Sequence, residues 1–263
     1  MGKEIGTGNA ADKKYVRSVI KALSIIELLN LHGELGVTEI GNLLGMDKST
    51  TFRLLATLKK KQYIATNLSN QKYRLSGKIF MIGQGVARRH GLNPALQLEL
   101  KMLAEKSGET VNFAVADGAE VVYLACHETE DIVKLAGSIG QRRPMYCTSV
   151  GKAMLAFYKT EYIAALCEQF SFVQYTEHTL CSPSELQKDL QQIRTRGYAV
   201  DNQEHNLGIH CIGLPLLDRM GEPSGAVSIS MPQFRFEADP RRHEMCVNVL
   251  LDASKALTRA LLS

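Results

Sequence analysis

The stretch that most restricts how this chain can fold is residues 38–61 (TEIGNLLGMDKSTTFRLLATLKKK), where two apolar stripes of helical spacing stand only a few residues apart. Thr38 suits the N-cap of a short helix with Ile40, Leu43 and Leu44 on its buried side. Gly45 stops that helix, because glycine tolerates the left-handed backbone of a sharp exit. Asp47 then caps a longer helix running to about Lys61, with Phe52, Leu55 and Leu58 facing inward. Gly41 lies one turn before Gly45, and its missing side chain lets the longer helix cross the shorter one closely. Upstream, residues 15–31 place Val16, Val19, Ile20, Leu23 and Ile26 along one face of a first helix, ended by Gly33 and Gly36. A short helix, a tight turn with glycine and a capped helix make a helix-turn-helix, whose second member enters the major groove of DNA. The alternative is a three-helix bundle with an incidentally basic face.

Residues at the start of the longer helix are of the types that grip a duplex: Lys48, Ser49, Thr50, Thr51 and Arg53. Hydroxyls and cations there suit phosphate oxygens, and arginine also reads guanine edges with two hydrogen bonds. Tyr63–Thr66 and Lys72–Leu75 read as two short strands around the turn-rich Ser69-Asn70-Gln71, a hairpin in the position of a wing. Lys72 and Arg74 would carry charge to the neighbouring backbone or minor groove, and Arg17 in the first helix joins the same candidate set. Charge distribution agrees. Residues 1–91 hold 15 basic and 6 acidic side chains, a net of +9, which leaves 16 basic against 21 acidic, a net of −5, in residues 92–263. A basic head on an acidic body points to a polyanion partner for the head.

Four segments follow from this pattern: a polar arm at 1–14, a winged helix-turn-helix at 15–76, a linker helix at 77–91 and a larger domain at 92–263. In the linker, Ile79, Ile82, Val86 and Ala87 form one stripe. Such a stripe packs on its own chain or pairs with a second copy, and we expect a dimer contact. Gly91 and Pro94 mark the boundary. Beyond it, helices are expected at 95–107, 160–169, 183–196 and 240–262, with strands at Thr110–Ala116, Glu120–Cys126, Ile132–Leu135, Ile209–Leu217 and Ala226–Met231. Asp117-Gly118 supplies a hairpin turn, and Gly151-Lys152 opens a further helix. Helices and hairpins interleaved in this way imply an α/β chain of the α+β kind, around a mostly antiparallel sheet.

Enzyme signatures fail. Gly151-Lys152 is not a phosphate-binding loop, because Tyr146 stands where the first glycine is needed and Ala153 replaces the hydroxyl residue. No pattern calls for a cofactor or a metal, and His127, His178, His205, His210 and His243 do not cluster at ligand spacing; His205 and His210 read as surface residues. The six cysteines form no CxxC pair, which suits reduced thiols and a cytoplasmic location, with no apolar run long enough to span a membrane. Small polar residues remain at strand and loop edges: Thr148, Ser149, Asp201, Cys211, Ser228 and Ser230. Ser228 and Ser230 share one face of a strand while Val227, Ile229 and Met231 share the other, so the hydroxyls are either satisfied structurally or line a polar pocket.

Taken in order, several segments resemble the IclR family of bacterial transcriptional regulators. They are Val19-Ile20-Lys21-Ala22-Leu23, Asp47 to Leu55, Tyr73-Arg74-Leu75, Gly140 with Pro144-Met145-Tyr146-Cys147, Ser149 to Ala153, Arg196 to Asp201, and Gly208 to Pro215. The resemblance covers nearly the whole chain. It implies a C-terminal effector-binding domain related to the GAF fold and binding of operator DNA as a dimer or dimer of dimers. It also implies control by a small organic acid, whether a keto acid, a sugar acid or an aromatic acid. Carried over by position, it implies an effector pocket at Thr148, Ser149, Asp201, Cys211, Ser228 and Ser230; Ser149 departs from the alanine common there. The expected function is a transcriptional regulator, more often a repressor, of a catabolic operon. Two rivals stand beside it: a cysteine-dependent redox enzyme using Cys147 and Cys211 on a GAF-like domain, and an adaptor whose winged helix has lost its affinity for DNA.

Overall fold

The computed structural model describes residues 15–128, 139–239 and 241–263. The expected arm at 1–14 and the expected strand Ile132–Leu135 lie outside the described residues. Compact packing divides the chain in two, one unit ending at Gly85 and the other beginning at Val86.

In the first unit, helices α1 (Arg17–His32), α2 (Val37–Leu43) and α3 (Lys48–Lys60) precede a hairpin of β1 (Ile64–Thr66) and β2 (Tyr73–Leu75), paired Ile64 to Leu75 and Thr66 to Tyr73. The turn between α2 and α3 is built as its sequence requires. Gly45 has φ +60°, and the Asp47 carboxylate accepts from the Thr50 N–H at 2.8 Å. A Cβ on Gly41 would stand 3.0 Å from the Met46 carbonyl oxygen and 3.3 Å from Thr51 Oγ1, so the two helices meet there backbone to side chain. Ile25, Leu29, Ile40, Leu55, Leu58 and Ile64 form the core. Each buried aliphatic side chain contributes ~1.5–3 kcal/mol to holding it together.

Several local expectations were wrong. Of the stripe read on the first helix, Val16 (its N-cap), Val19, Ile20 and Leu23 are exposed and Ile26 alone packs inward, beside Ala22 and the core residues Ile25 and Leu29. α1 carries two apolar stripes, and only one faces its own domain. The N-cap of α2 is Gly36 rather than Thr38, because the Glu39 carboxylate reaches back to accept from the Gly36 N–H at 2.6 Å. Leu43 is exposed, not buried.

Helix α4 (Gly77–Arg89) follows and buries none of its residues. The second unit opens with α5 (Pro94–Ser107), where Asn93 caps and Pro94 starts the helix instead of closing the segment before it. Strands β3 (Thr110–Asp117), β4 (Glu120–His127), β5 (Arg142–Pro144), β6 (Ala199–Asn202), β7 (Ile209–Leu217) and β8 (Pro223–Pro232) form one antiparallel sheet in the order β5-β4-β3-β8-β7-β6. Alternation along these strands separates two faces. Val111, Phe113, Val115, Ile212, Leu214, Val227, Ile229 and Met231 pack against α5 and α10 (Arg241–Leu261). The opposite face is covered by α6 (Ser149–Leu155), with α7 (Thr160–Cys167) and α8 (Pro183–Arg196) completing that layer's core around Met154, Leu166, Leu190 and Ile193. α6 begins at Ser149 with Thr148 as N-cap, so Gly151 and Lys152 lie inside it and do not open it. A one-turn helix α9 (Gln233–Ala238) precedes α10.

Candidate nucleic-acid interface and effector site

Helix α3 turns by about 100° per residue, and its buried line is Thr51, Leu55 and Leu58. Ser49, Arg53 and Ala56 therefore share the outward face, Phe52 stands on its flank, and Lys48 lies in line with Leu55 at the open first turn; all five are exposed. Thr50 is half-buried and its N–H is taken by Asp47. Two expectations exchange places here. Thr51, a candidate for DNA contact, is fully buried, its hydroxyl donating to the Asp47 carbonyl at 2.9 Å, while Phe52, a candidate for the core, is 58% exposed. Thr51 fits because its small side chain meets the space left at Gly41.

Arg17 is exposed at the start of α1. On the hairpin, Lys72 Nζ lies 3.2 Å from Glu39 and Arg74 Nε 3.9 Å from Glu34. Hydrogen bonds from Asn70 and Asn67 hold the Glu34 carboxyl below its ordinary value, with Arg74 and Lys72 adding to the effect. The two cations thus reach solvent partly neutralised. Exposed pairs of this kind are worth ~0–1 kcal/mol and are readily exchanged for another anion.

The second cluster lies on the α6 face of the sheet. Register sets Asp201 beside Cys211, Cys211 beside Ser230 and Ser230 beside Thr110, one polar row across four strands. A parallel row sets Gly213 beside Ser228 and Ser228 beside Asn112. Asn112 donates to Ser230 Oγ at 3.3 Å. A Cβ at Gly213 would collide with the Ser149 carbonyl, so the first turn of α6 rests directly on β7. Thr148, Ser149, Asp201, Cys211, Ser228 and Ser230 are all buried and converge on this place. The Thr148 hydroxyl is already committed, donating to the Pro144 carbonyl at 3.0 Å and accepting from the Gly151 N–H at 3.2 Å.

Electrostatics here are those of a place shielded from water. Burial, with the Glu204 charge second, pushes the Asp201 carboxyl up to about 7, although its Oδ1 accepts from the Glu204 N–H at 2.7 Å. Lys152 is buried, and its Nζ bonds Glu204 and, at 2.7 Å, Asp189. Burial opposes the Lys152 charge, but Glu204 and Asp189 outweigh it and hold the ammonium above its ordinary value.

Residues 18–67 match the model of the IclR helix-turn-helix domain, and residues 84–259 match that described as the bacterial transcriptional regulator IclR C-terminal domain. The chain belongs to the IclR family of bacterial transcriptional regulators. It is 32% identical over 229 residues to the transcriptional regulator KdgR of Dickeya chrysanthemi, spanning 87% of this chain and 75% of that one. It is 31% identical over 241 residues to the transcriptional repressor IclR of Escherichia coli K12, spanning 90% and 88%. The crystal structure of Thermotoga maritima IclR superposes with a TM-score of 0.81 at 28% identity, covering 94% of this chain and 99% of that one.

This IclR-family protein is a DNA-binding transcriptional regulator and not an enzyme. The redox alternative has no support in the thiols. Burial raises both Cys147 and Cys211, whereas a reactive thiol needs a depressed pKa. His210 is buried rather than on the surface, with Nε2 3.1 Å from Nδ1 of His243 and its ring stacked on Phe236. Among the described residues no helix is long and apolar enough to cross a membrane. Sequence reasoning missed Lys152, Glu204 and Asn112, whose partners are remote in sequence, and it missed the exposure of Phe52. For Phe52 a signal existed, since Thr51, Leu55 and Leu58 fit the four-then-three spacing of a buried helical line.

Proposed function

We propose that the protein represses a catabolic operon from the cytoplasm and is released or retained on its operator by a small organic acid, whether a keto acid, a sugar acid or an aromatic acid. The observation that carries the reading is the buried row Asp201, Cys211 and Ser230, with Ser228 and Ser149 beside it. Polar side chains aligned on one sheet face, under a helix and away from water, suit a ligand with a few oriented hydrogen-bonding groups. A carboxyl raised to about 7 at the β6 end of the row favours an acidic effector, because a neutral Asp201 donates to a carboxylate where a charged one would repel it. In this scheme residues 15–76 grip DNA through Arg17, Lys48, Ser49, Thr50, Arg53, Lys72 and Arg74, residues 77–91 link, and residues 92–263 sense.

The regulator acts as a homodimer or a dimer of dimers. Two apolar surfaces support this: Val16, Val19, Ile20 and Leu23 on α1, and Phe80, Met81, Ile82 and Val86 on α4, all exposed in the single chain. Paired heads would set two recognition helices in successive major grooves about 34 Å apart on a pseudo-palindromic site. An effector then needs only unequal affinity for two head arrangements to change occupancy. The test is a melting-temperature screen against the three acid classes, followed by operator binding with any hit. At a concentration of 100 Kd a ligand specific for the folded state adds ~2.7 kcal/mol of stability. A hit must also shift operator affinity. If no compound of any class raises the melting temperature, the effector reading is wrong.

A further inference from the structure

Phe52 is the one exposed large apolar side chain of α3, 58% exposed between Ser49 and Ala56 in the helical rows and next to Arg53. A single exposed hydrophobic residue is ordinary on a protein surface; the position of this one is what matters. With about 100° per residue, it stands about 90° round the helix from the middle of the core line Thr51, Leu55 and Leu58, on the flank of α3. It is not among the side chains packed against the domain core, where its neighbour Leu54 is. Ala56, one turn further on, carries only a methyl group and leaves the ring uncovered toward anything that α3 approaches.

We propose that Phe52 is a specificity-determining residue that reads the 5-methyl group of a thymine in each operator half-site. This rests on the docking of α3 in the major groove set out above. A phenyl ring neither donates nor accepts a hydrogen bond, so it draws no discrimination from the donor and acceptor pattern of base edges. The thymine methyl is the apolar group that the major-groove edge presents. Lys48 and Arg53 flank the ring with charge, which holds the helix down on the phosphates while the ring meets the groove floor. Phe52 therefore separates thymine from cytosine at one position, a distinction that Arg53, suited to guanine, does not make.

The test uses the full chain and a pool of random duplexes, from which binding sequences are enriched. Each thymine of an enriched duplex is then replaced by deoxyuridine, which removes the methyl and leaves base pairing unchanged. The wild-type protein is expected to lose about fourfold affinity for each such replacement, the effect of withdrawing one buried carbon. Phe52→Ala should bind the thymine and deoxyuridine duplexes equally at that position, with its melting temperature unchanged because the ring supports no core. Phe52→Leu should keep part of the discrimination. An undiminished deoxyuridine penalty in Phe52→Ala, or no methyl-sensitive thymine with the wild type, overturns the proposal while leaving groove docking intact. Failure of the wild type to enrich any duplex overturns both.

Discussion

Replacing Lys152 with methionine tests whether the charge buried beneath the proposed effector site holds that part of the domain together. Lys152 has a side chain only 1% exposed, against 9% for Glu204 and 19% for Asp189, and bonds both. Removing one member of a buried ion pair costs ~3–5 kcal/mol, because the remaining charge loses its partner without regaining water. The lower end applies here. Asp189 keeps Arg196 at 3.7 Å, and Glu204 can relieve itself by taking a proton, its carboxyl being already raised by burial. A loss of about 3 kcal/mol in a unit of this size lowers the melting temperature by roughly 6–12 °C. The sign with pH follows. A carboxyl whose folded pKa lies above its unfolded value loses stabilising effect as pH rises between the two. In Lys152→Met the Glu204 carboxyl is raised further, so the gap between variant and wild type widens from pH 5 to neutrality and narrows on acidification. Far-ultraviolet circular dichroism suits the assay, since the chain contains no tryptophan. A variant that melts with the wild type at neutral pH, or a deficit independent of pH, would refute the reasoning.

Three further outcomes are expected. Arg53→Ala weakens operator binding by about 1–3 kcal/mol if the guanidinium reads a base edge; an unchanged gel-shift titration removes it from the interface. In the wild type, affinity for an organic anion falls as pH rises through about 7, where Asp201 ionises. Asp201→Asn keeps an acceptor for the Glu204 N–H and a donor for the anion but cannot ionise, so it leaves operator affinity intact and removes that pH dependence; the wild-type pH dependence persisting in the variant displaces the pocket. Gly213→Ala forces α6 away from β7, because the added Cβ overlaps the Ser149 carbonyl, and overpacking of this kind costs about 1–3 kcal/mol. Calorimetry showing no loss would mean that α6 is free to shift.

What the sequence made legible depended on how far apart the cooperating residues lie. Asp47, Gly45 and Gly41 were readable because a cap, a positive φ and a close helix crossing are local demands with few residues able to meet them. The same holds for the Asp117-Gly118 turn and for the opposite faces of Ser228 and Val227. α1 misled because apolar residues occupy two stripes, and periodicity reports amphipathicity without naming which stripe a domain will cover. Strands β5 and β6, of three and four residues, are too short to show alternation. Lys152 was invisible as an ionic centre because Asp189 and Glu204 lie 37 and 52 positions away. Six candidate pocket residues were named from resemblance; that four of them fall on neighbouring strands could be read only from the register.

That register divides the sheet by parity. On β8 the even-numbered side chains of 226–230 face α6 and the odd-numbered ones face α10; on β7 the assignment is reversed. The polar positions Ser228 and Ser230 can therefore change in chemistry without touching the core layer on the α10 side. Under the proposed effector reading, exchanging a hydroxyl for a hydrogen at Ser228 or Ser230 changes which metabolite is recognised, while the intervening aliphatic residues stay fixed. Slippage by a single residue, in contrast, would swap the two sets at once. A domain organised in this way can diversify what it detects one substitution at a time, provided the strands keep count.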